Sequence, residues 1–111
     1  MKWTICYYNE ALQKDLLELP TGIQARYIHL TERMEVHGPN LGMPHTKAMK
    51  AGLFELRMKS KEGIGRVYYC TAVNQQIVML HSFVKKSQKT PRRELNLALK
   101  RMKEVKENAD T

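Results

Sequence analysis

The chain has 111 residues, with 19 Lys or Arg against 11 Asp or Glu, for a formal net charge of +8. That length supports one hydrophobic core and excludes two, so a single domain over residues 1–111 is expected. The charge calls for a polyanionic partner, whether RNA, DNA or an acidic protein, while the lack of an 18-residue apolar run or a signal-peptide pattern argues against a membrane and for the cytoplasm. Cys6 and Cys70 both fall in strand-like segments and read as reduced sheet or core residues. No CxxC or Cys/His spacing offers a metal centre, His29 and His37 lack the HExxH pattern, and no cofactor is expected.

In chain order, Trp3, Ile5 and Tyr7 alternate with Thr4, Cys6 and Tyr8, which predicts a strand over residues 2–8. Asn9 is placed to cap a helix reaching about residue 19, with Glu10 in its first turn and Pro20 ending it. A second helix is expected over residues 22–37. Ile23, Tyr27, Leu30 and Met34 recur at helical steps as one buried stripe, and Gly38-Pro39 stops it. Neither helix can bury its stripe alone, so the two should form a hairpin packed on a sheet. Residues 38–52 read as irregular, punctuated by Gly42, Pro44 and Gly52, and contribute His45, Lys47 and Lys50.

From residue 53 to 84 the period becomes two. Phe54, Leu56 and Met58 form one strand face, with Glu55, Arg57 and Lys59 on the other. After a turn at residues 61–63, Arg66, Tyr68 and Cys70 alternate with Val67, Tyr69 and Thr71. Asn74-Gln75 makes a second tight connection to a strand over residues 77–83, where His81 shares parity with Met79 and Phe83. Connections this short predict an antiparallel meander and leave no room for a crossover helix. Next comes a segment with cations at Lys85, Lys86, Lys89, Arg92 and Arg93 and no acid. Thr90 and Pro91 suit the start of a closing helix that buries Leu95, Ala98, Met102 and Val105 and leaves Lys100, Arg101, Lys103 and Lys106 solvated. The expected fold is α+β: an N-terminal strand and helical hairpin packed on a small, mostly antiparallel sheet, with a C-terminal helix.

Three stretches together resemble a known family. Gly52-Leu53-Phe54-Glu55-Leu56-Arg57, Arg66-Val67-Tyr68-Tyr69, and Leu80-His81-Ser82-Phe83-Val84-Lys85-Lys86-Ser87-Gln88-Lys89-Thr90-Pro91 look like the signatures GLYELR, RVFY and LHGFxKKTQKTP. These recur in order in the phage-derived, HigB-type branch of the RelE/ParE toxin superfamily. Phe54 stands where the family has Tyr, and Ser82 and Ser87 stand where it has Gly and Thr. The resemblance implies a RelE-like fold and a toxin of a type II toxin–antitoxin module that cleaves mRNA on the ribosome. It further implies a cognate helix-turn-helix antitoxin and, through the antitoxin complex, contact with promoter DNA. A non-enzymatic ParE-like toxin that binds DNA gyrase, or a phage accessory protein whose basic face takes an acidic partner, would share the fold.

Metal-independent cleavage of RNA requires removal of the 2′-hydroxyl proton, stabilisation of a pentavalent phosphorane and protonation of the 5′-oxygen. Arg57 and Arg66 suit the second of these requirements. Their parity differs from that of the core stripes, so both are expected on one exposed sheet face, where planar guanidiniums can each hold two phosphate oxygens. The structural alternative pairs Arg57 with Glu55 or Glu62. Lys85 and Lys86 match the family's lysine pair and are expected at the phosphate or in proton transfer. His45 is the histidine placed for proton transfer, and His81 reads as structural. Lys47, Lys50, Lys89, Arg92 and Arg93 are expected to position an RNA backbone, with Tyr68 stacking on a base or ribose. No tyrosine follows Tyr69, so the C-terminal tyrosine used by some ribosome-dependent relatives has no counterpart.

Overall fold

The computed structural model describes residues 2–85 and 92–109. The elements run β1 (Thr4–Tyr7), α1 (Glu10–Leu17), α2 (Thr21–His37), β2 (Thr46–Ala48), β3 (Phe54–Ser60), β4 (Gly63–Ala72), β5 (Gln76–Lys85) and α3 (Arg92–Ala109). Asn9 caps α1 as expected, its side chain accepting from Leu12 N at 2.8 Å. Pro20 opens α2 and supplies no side-chain cap. A carboxylate from across the fold takes that role: Gly22 N in the first turn of α2 donates to Glu62, in the β3–β4 turn. Glu62 is therefore not the partner of Arg57. Gly38, with φ of 98°, ends α2 in a conformation that disfavours a side chain.

The sheet order is β1-β5-β4-β3-β2. Strands β3, β4 and β5 form the expected antiparallel meander, and β1 adds to β5 in parallel. Strand β2 was not expected from the sequence. It is only three residues long and pairs antiparallel with β3 along residues 54–56, too short to leave an alternating pattern among the glycines and prolines around it.

Two cores form on the two faces. On one face, α1 and α2 supply Leu12, Leu16, Ile23, Tyr27, Leu30 and Met34, which close over Leu56, Met58, Val67, Tyr69, Ile77 and Met79. On the other, Ala98 and Met102 of α3 cover Tyr68, Cys70, Val78 and Leu80. The register between β4 and β5 shifts by one residue: Tyr68 faces His81, whereas Tyr69 faces Met79. This bulge returns His81 and Phe83 to the face of Tyr68, opposite Met79, and overturns the parity expected of His81. His81 there bonds Glu94 in the first turn of α3, a structural role as anticipated.

Arg101 departs from the solvated position expected of it. Its Nη1 donates to Leu80 O at 2.8 Å, and its guanidinium lies 4.6 Å from the centre of the Tyr8 ring, while Tyr8 donates to Glu104. The long side chain pins α3 to the sheet instead of facing water.

At Gly65 a side chain of α2 lies directly against the sheet backbone. A Cβ there would lie 2.6 Å from Ile23 Cγ2 and 2.8 Å from Met58 Cε. Gly65→Ala should therefore overpack the helical-hairpin core and lower stability by about 1–3 kcal/mol. Denaturant melts should show a lower midpoint with an unchanged slope.

Candidate functional site

Helix α3 covers only the β4–β5 half of its sheet face. Beyond it, the same face carries Glu55, Arg57 and Lys59 on β3 and Ile64 and Arg66 on β4. Arg57 and Arg66 are register partners, so their side chains leave the sheet on one face. Two like charges directly opposite one another repel, and Glu55 relieves this. A single oxygen, Glu55 Oε1, accepts from Arg57 Nε at 3.0 Å and from Arg66 Nη1 at 2.8 Å. The Glu55 side chain is 2% exposed, Arg66 8% and Arg57 28%.

This corrects the expectation that both arginines stand on an open face. Arg66 is buried, because β4 is an interior strand of the sheet while β3 lies nearer its edge. The expected alternative, an Arg57–Glu55 pair, is present. The group is nonetheless unbalanced: two guanidiniums share one carboxylate, and Arg66 Nε is buried with no hydrogen-bond partner among the described residues. An ordinary structural ion pair compensates its charge. This one retains a net positive charge at the floor of a depression.

The loop before β2 supplies the rim. Asn40 and Thr46 brace it through Gly42 N, and His45 O accepts from Arg57 N at 2.8 Å, which ties the loop to β3 at the arginine itself. Pro44 and His45 thereby join Arg57, Lys59, Ile64, Arg66 and, from α2, Arg26 around a concavity of about 300 Å³. None of these lining residues is acidic. Burial first, then the charges of Arg33, Arg26 and His29, hold the His45 pKa below the usual histidine value. The imidazole is therefore largely neutral at neutral pH and able to accept a proton.

Of the residues singled out in the sequence, His45, Arg57 and Arg66 come together in this concavity. Lys85 is the register partner of Ile64, so the backbone of β5 runs beside it. Lys86 and Lys89 lie outside the described residues. Lys47 and Lys50 are exposed but line a different, shallower groove with Ala48, Met49 and Leu95. Arg92 and Arg93 are exposed at the start of α3. Tyr68 is a correction: its ring is fully buried under α3 and packs on Phe83, with centroids 5.8 Å apart, so it offers no stacking surface. Its parity matches Arg66, but parity could not reveal where α3 lands.

Arg26, Lys59 and the bridging role of Glu55 were missed. The signal for Arg26 lay in α2 itself. Arg26, His29 and Arg33 fall at i, i+3 and i+7, one flank of the buried stripe. Chemically, the concavity can bind an anion by charge-assisted hydrogen bonds from Arg57 and accept a proton at His45.

The pattern of the family described as "Phage derived protein Gp49-like (DUF891)" matches residues 14–103. No curated protein matches the chain by sequence. Among solved structures, the fold is similar to that of a free-state mutant of the Escherichia coli toxin RelE in which two arginines are replaced by alanine. The TM-score is 0.56 at 12% identity, over 92% of this chain and 99% of that one. The chain thus belongs to the phage-derived Gp49-like family and has the fold of a RelE-like toxin.

Proposed function

We propose that the chain is the toxin of a type II toxin–antitoxin module and cleaves mRNA on the ribosome without a metal, as an endoribonuclease that stops translation. The observation that carries this reading is the under-compensated arginine pair beside a neutral histidine: Glu55 holds Arg57 and Arg66 through one oxygen, and His45 lies on the rim of the same concavity. In this reading His45 takes the 2′-hydroxyl proton. The 2′-oxygen attacks the adjacent phosphorus, and the bond to the 5′-oxygen breaks. Arg57, and Arg66 behind it, stabilise the charge that builds on the non-bridging oxygens. The 5′-oxygen leaves with a proton, for which Lys85 and Lys86 are the donors the family resemblance points to. The products are a 2′,3′-cyclic phosphate and a 5′-hydroxyl. The family and fold also support a cognate antitoxin as partner.

The buried Arg66–Glu55 pair favours one other reading, an accessory protein in which the arginines are structural and the basic surface takes an acidic partner. It also changes how the first reading is tested. Arg66→Ala would leave Glu55 buried with half its compensation and should cost about 3–5 kcal/mol, so loss of activity there reports folding. Arg57 is more exposed and is the better probe.

Induced alone in cells, the wild-type chain should arrest growth and produce new RNA ends within translated messages. Arg57→Ala should reduce cutting about 10²–10³-fold and His45→Ala about 10²–10⁴-fold, both with a near-native melting temperature. Intact messages alongside trapped gyrase–DNA breaks would replace this reading with the ParE-like one. Absence of toxicity in a folded chain would favour the accessory role.

A pH profile gives an independent check. The active form of His45 is the neutral one, and its pKa is lowered. Activity should therefore fall only as pH drops through a value below about 6.5, and be flat across neutrality. Cleavage rates in a reconstituted translation system at acidic, neutral and mildly basic pH measure this.

A further inference from the structure

The concavity has a second wall with no role so far. Arg26 reaches it from α2, across the sheet edge from Arg57, and is exposed. Arg26, His29 and Arg33 share one flank of α2, and all three act electrostatically on His45. Seven residues of helix separate Arg26 from Arg33, about 10 Å along the axis at 1.5 Å per residue. At 3.6 residues per turn, Glu35 falls on the opposite side of α2 and Glu32 on its outer side, three residues beyond His29; neither lies three or four residues from Arg26 or Arg33. Lys59 of β3 adds a further exposed cation to the concavity. Arg33 does not line the concavity, so an anion that meets Arg33 as well as Arg57 must extend beyond a single phosphate.

We propose that Arg26 and Arg33 of α2 are positioning residues that hold backbone phosphates flanking the one seated at Arg57, so that a single-stranded nucleic acid crosses from the β3–β4 face over His45 onto α2. This rests on the nuclease reading for the identity of the strand, but the track itself is a matter of binding. It makes α2, whose inner face only packs the core, the second half of the polyanion site. The groups facing His45 are then Arg26, His29 and Arg33 from α2, Arg57 and Lys59 from β3, and Arg66 from β4. The phosphates of a bound strand would offset their charge.

The probe is a fluorescent 2′-O-methyl oligoribonucleotide, which lacks the attacking hydroxyl, titrated by anisotropy over a salt series. Wild-type affinity should fall steeply with salt. Arg26→Gln/Arg33→Gln should make the log–log slope shallower by about 1.4, at about 0.7 per phosphate contact on a single strand. Lys14→Gln on the exposed side of α1 should leave the slope unchanged, and Arg26→Lys/Arg33→Lys should restore most of it. In cleavage assays the Gln pair should raise KM more than it lowers kcat. That split between KM and kcat is an effect that a merely structural role for the arginines would not produce, and the acidic limb of the pH profile should also move upward, because two cations that oppose protonation of His45 are gone. A slope equal to wild type in the Gln pair, or a wild-type chain whose oligonucleotide binding does not depend on salt, overturns the track. A shallower slope in a chain that cuts no message supports the track and defeats the nuclease reading alone.

Discussion

A single carboxylate oxygen organises the basic concavity of this molecule. Glu55 sits on β3 almost wholly buried, and two guanidiniums from adjacent strands converge on its Oε1. Desolvating three charged groups is unfavourable unless their geometry is good, and one anion between two cations leaves the arrangement incomplete. The rest of the fold supports that arrangement. The antiparallel register puts Arg57 opposite Arg66, and α3 stops short of them. The loop carrying His45 is fastened by a backbone hydrogen bond to Arg57 itself. Glu55 holds the two guanidiniums in place through one oxygen, and on the proposed function it is what an incoming phosphate would compete with.

The two sheet faces divide the labour. The face under α1 and α2 is continuous apolar packing, tight enough that Gly65 has no room for a methyl group. The face under α3 is apolar only over β4 and β5, and gives way to charge on β3. An α3 of this length and amphipathicity cannot cover five strands, and the uncovered strip is where the proposed chemistry resides. Arg101 and Glu104 hold that helix in register through Tyr8, and His81 with Glu94 holds its first turn. The boundary between packed and open surface is set by polar contacts at both ends.

Much of this was legible in the sequence. The stripe at Ile23, Tyr27, Leu30 and Met34, the alternation through β3 and β4, and the face at Leu95, Ala98, Met102 and Val105 specified the hairpin, the meander and the closing helix, because burial on one side forces those periods. Arg57 and Arg66 were legible as a pair for the same reason, helped by the family signatures, whereas His45 was placed only by its position in the irregular loop. What was hidden depends on long-range placement. Tyr68 and Arg66 have identical parity, and only the resting place of α3 makes one a core residue and the other part of the site. The bulge at Leu80, which reversed His81, leaves no local signal. The role of Arg26 required knowing which flank of α2 faces the His45 loop. Arg101 looked like any solvated helix cation until its carbonyl partner on β5 was known.

The chemistry of the RNA ends tests the central claim most directly. Fragments made by the purified wild-type chain in a translation reaction would be analysed for their termini, alongside Arg57→Ala. Attack by the 2′-oxygen, with His45 as base and the arginines on the phosphorane, predicts 2′,3′-cyclic phosphate and 5′-hydroxyl ends that vanish in the variant. Messages left whole by the wild type, or cut to 3′-hydroxyl and 5′-phosphate ends, would contradict it.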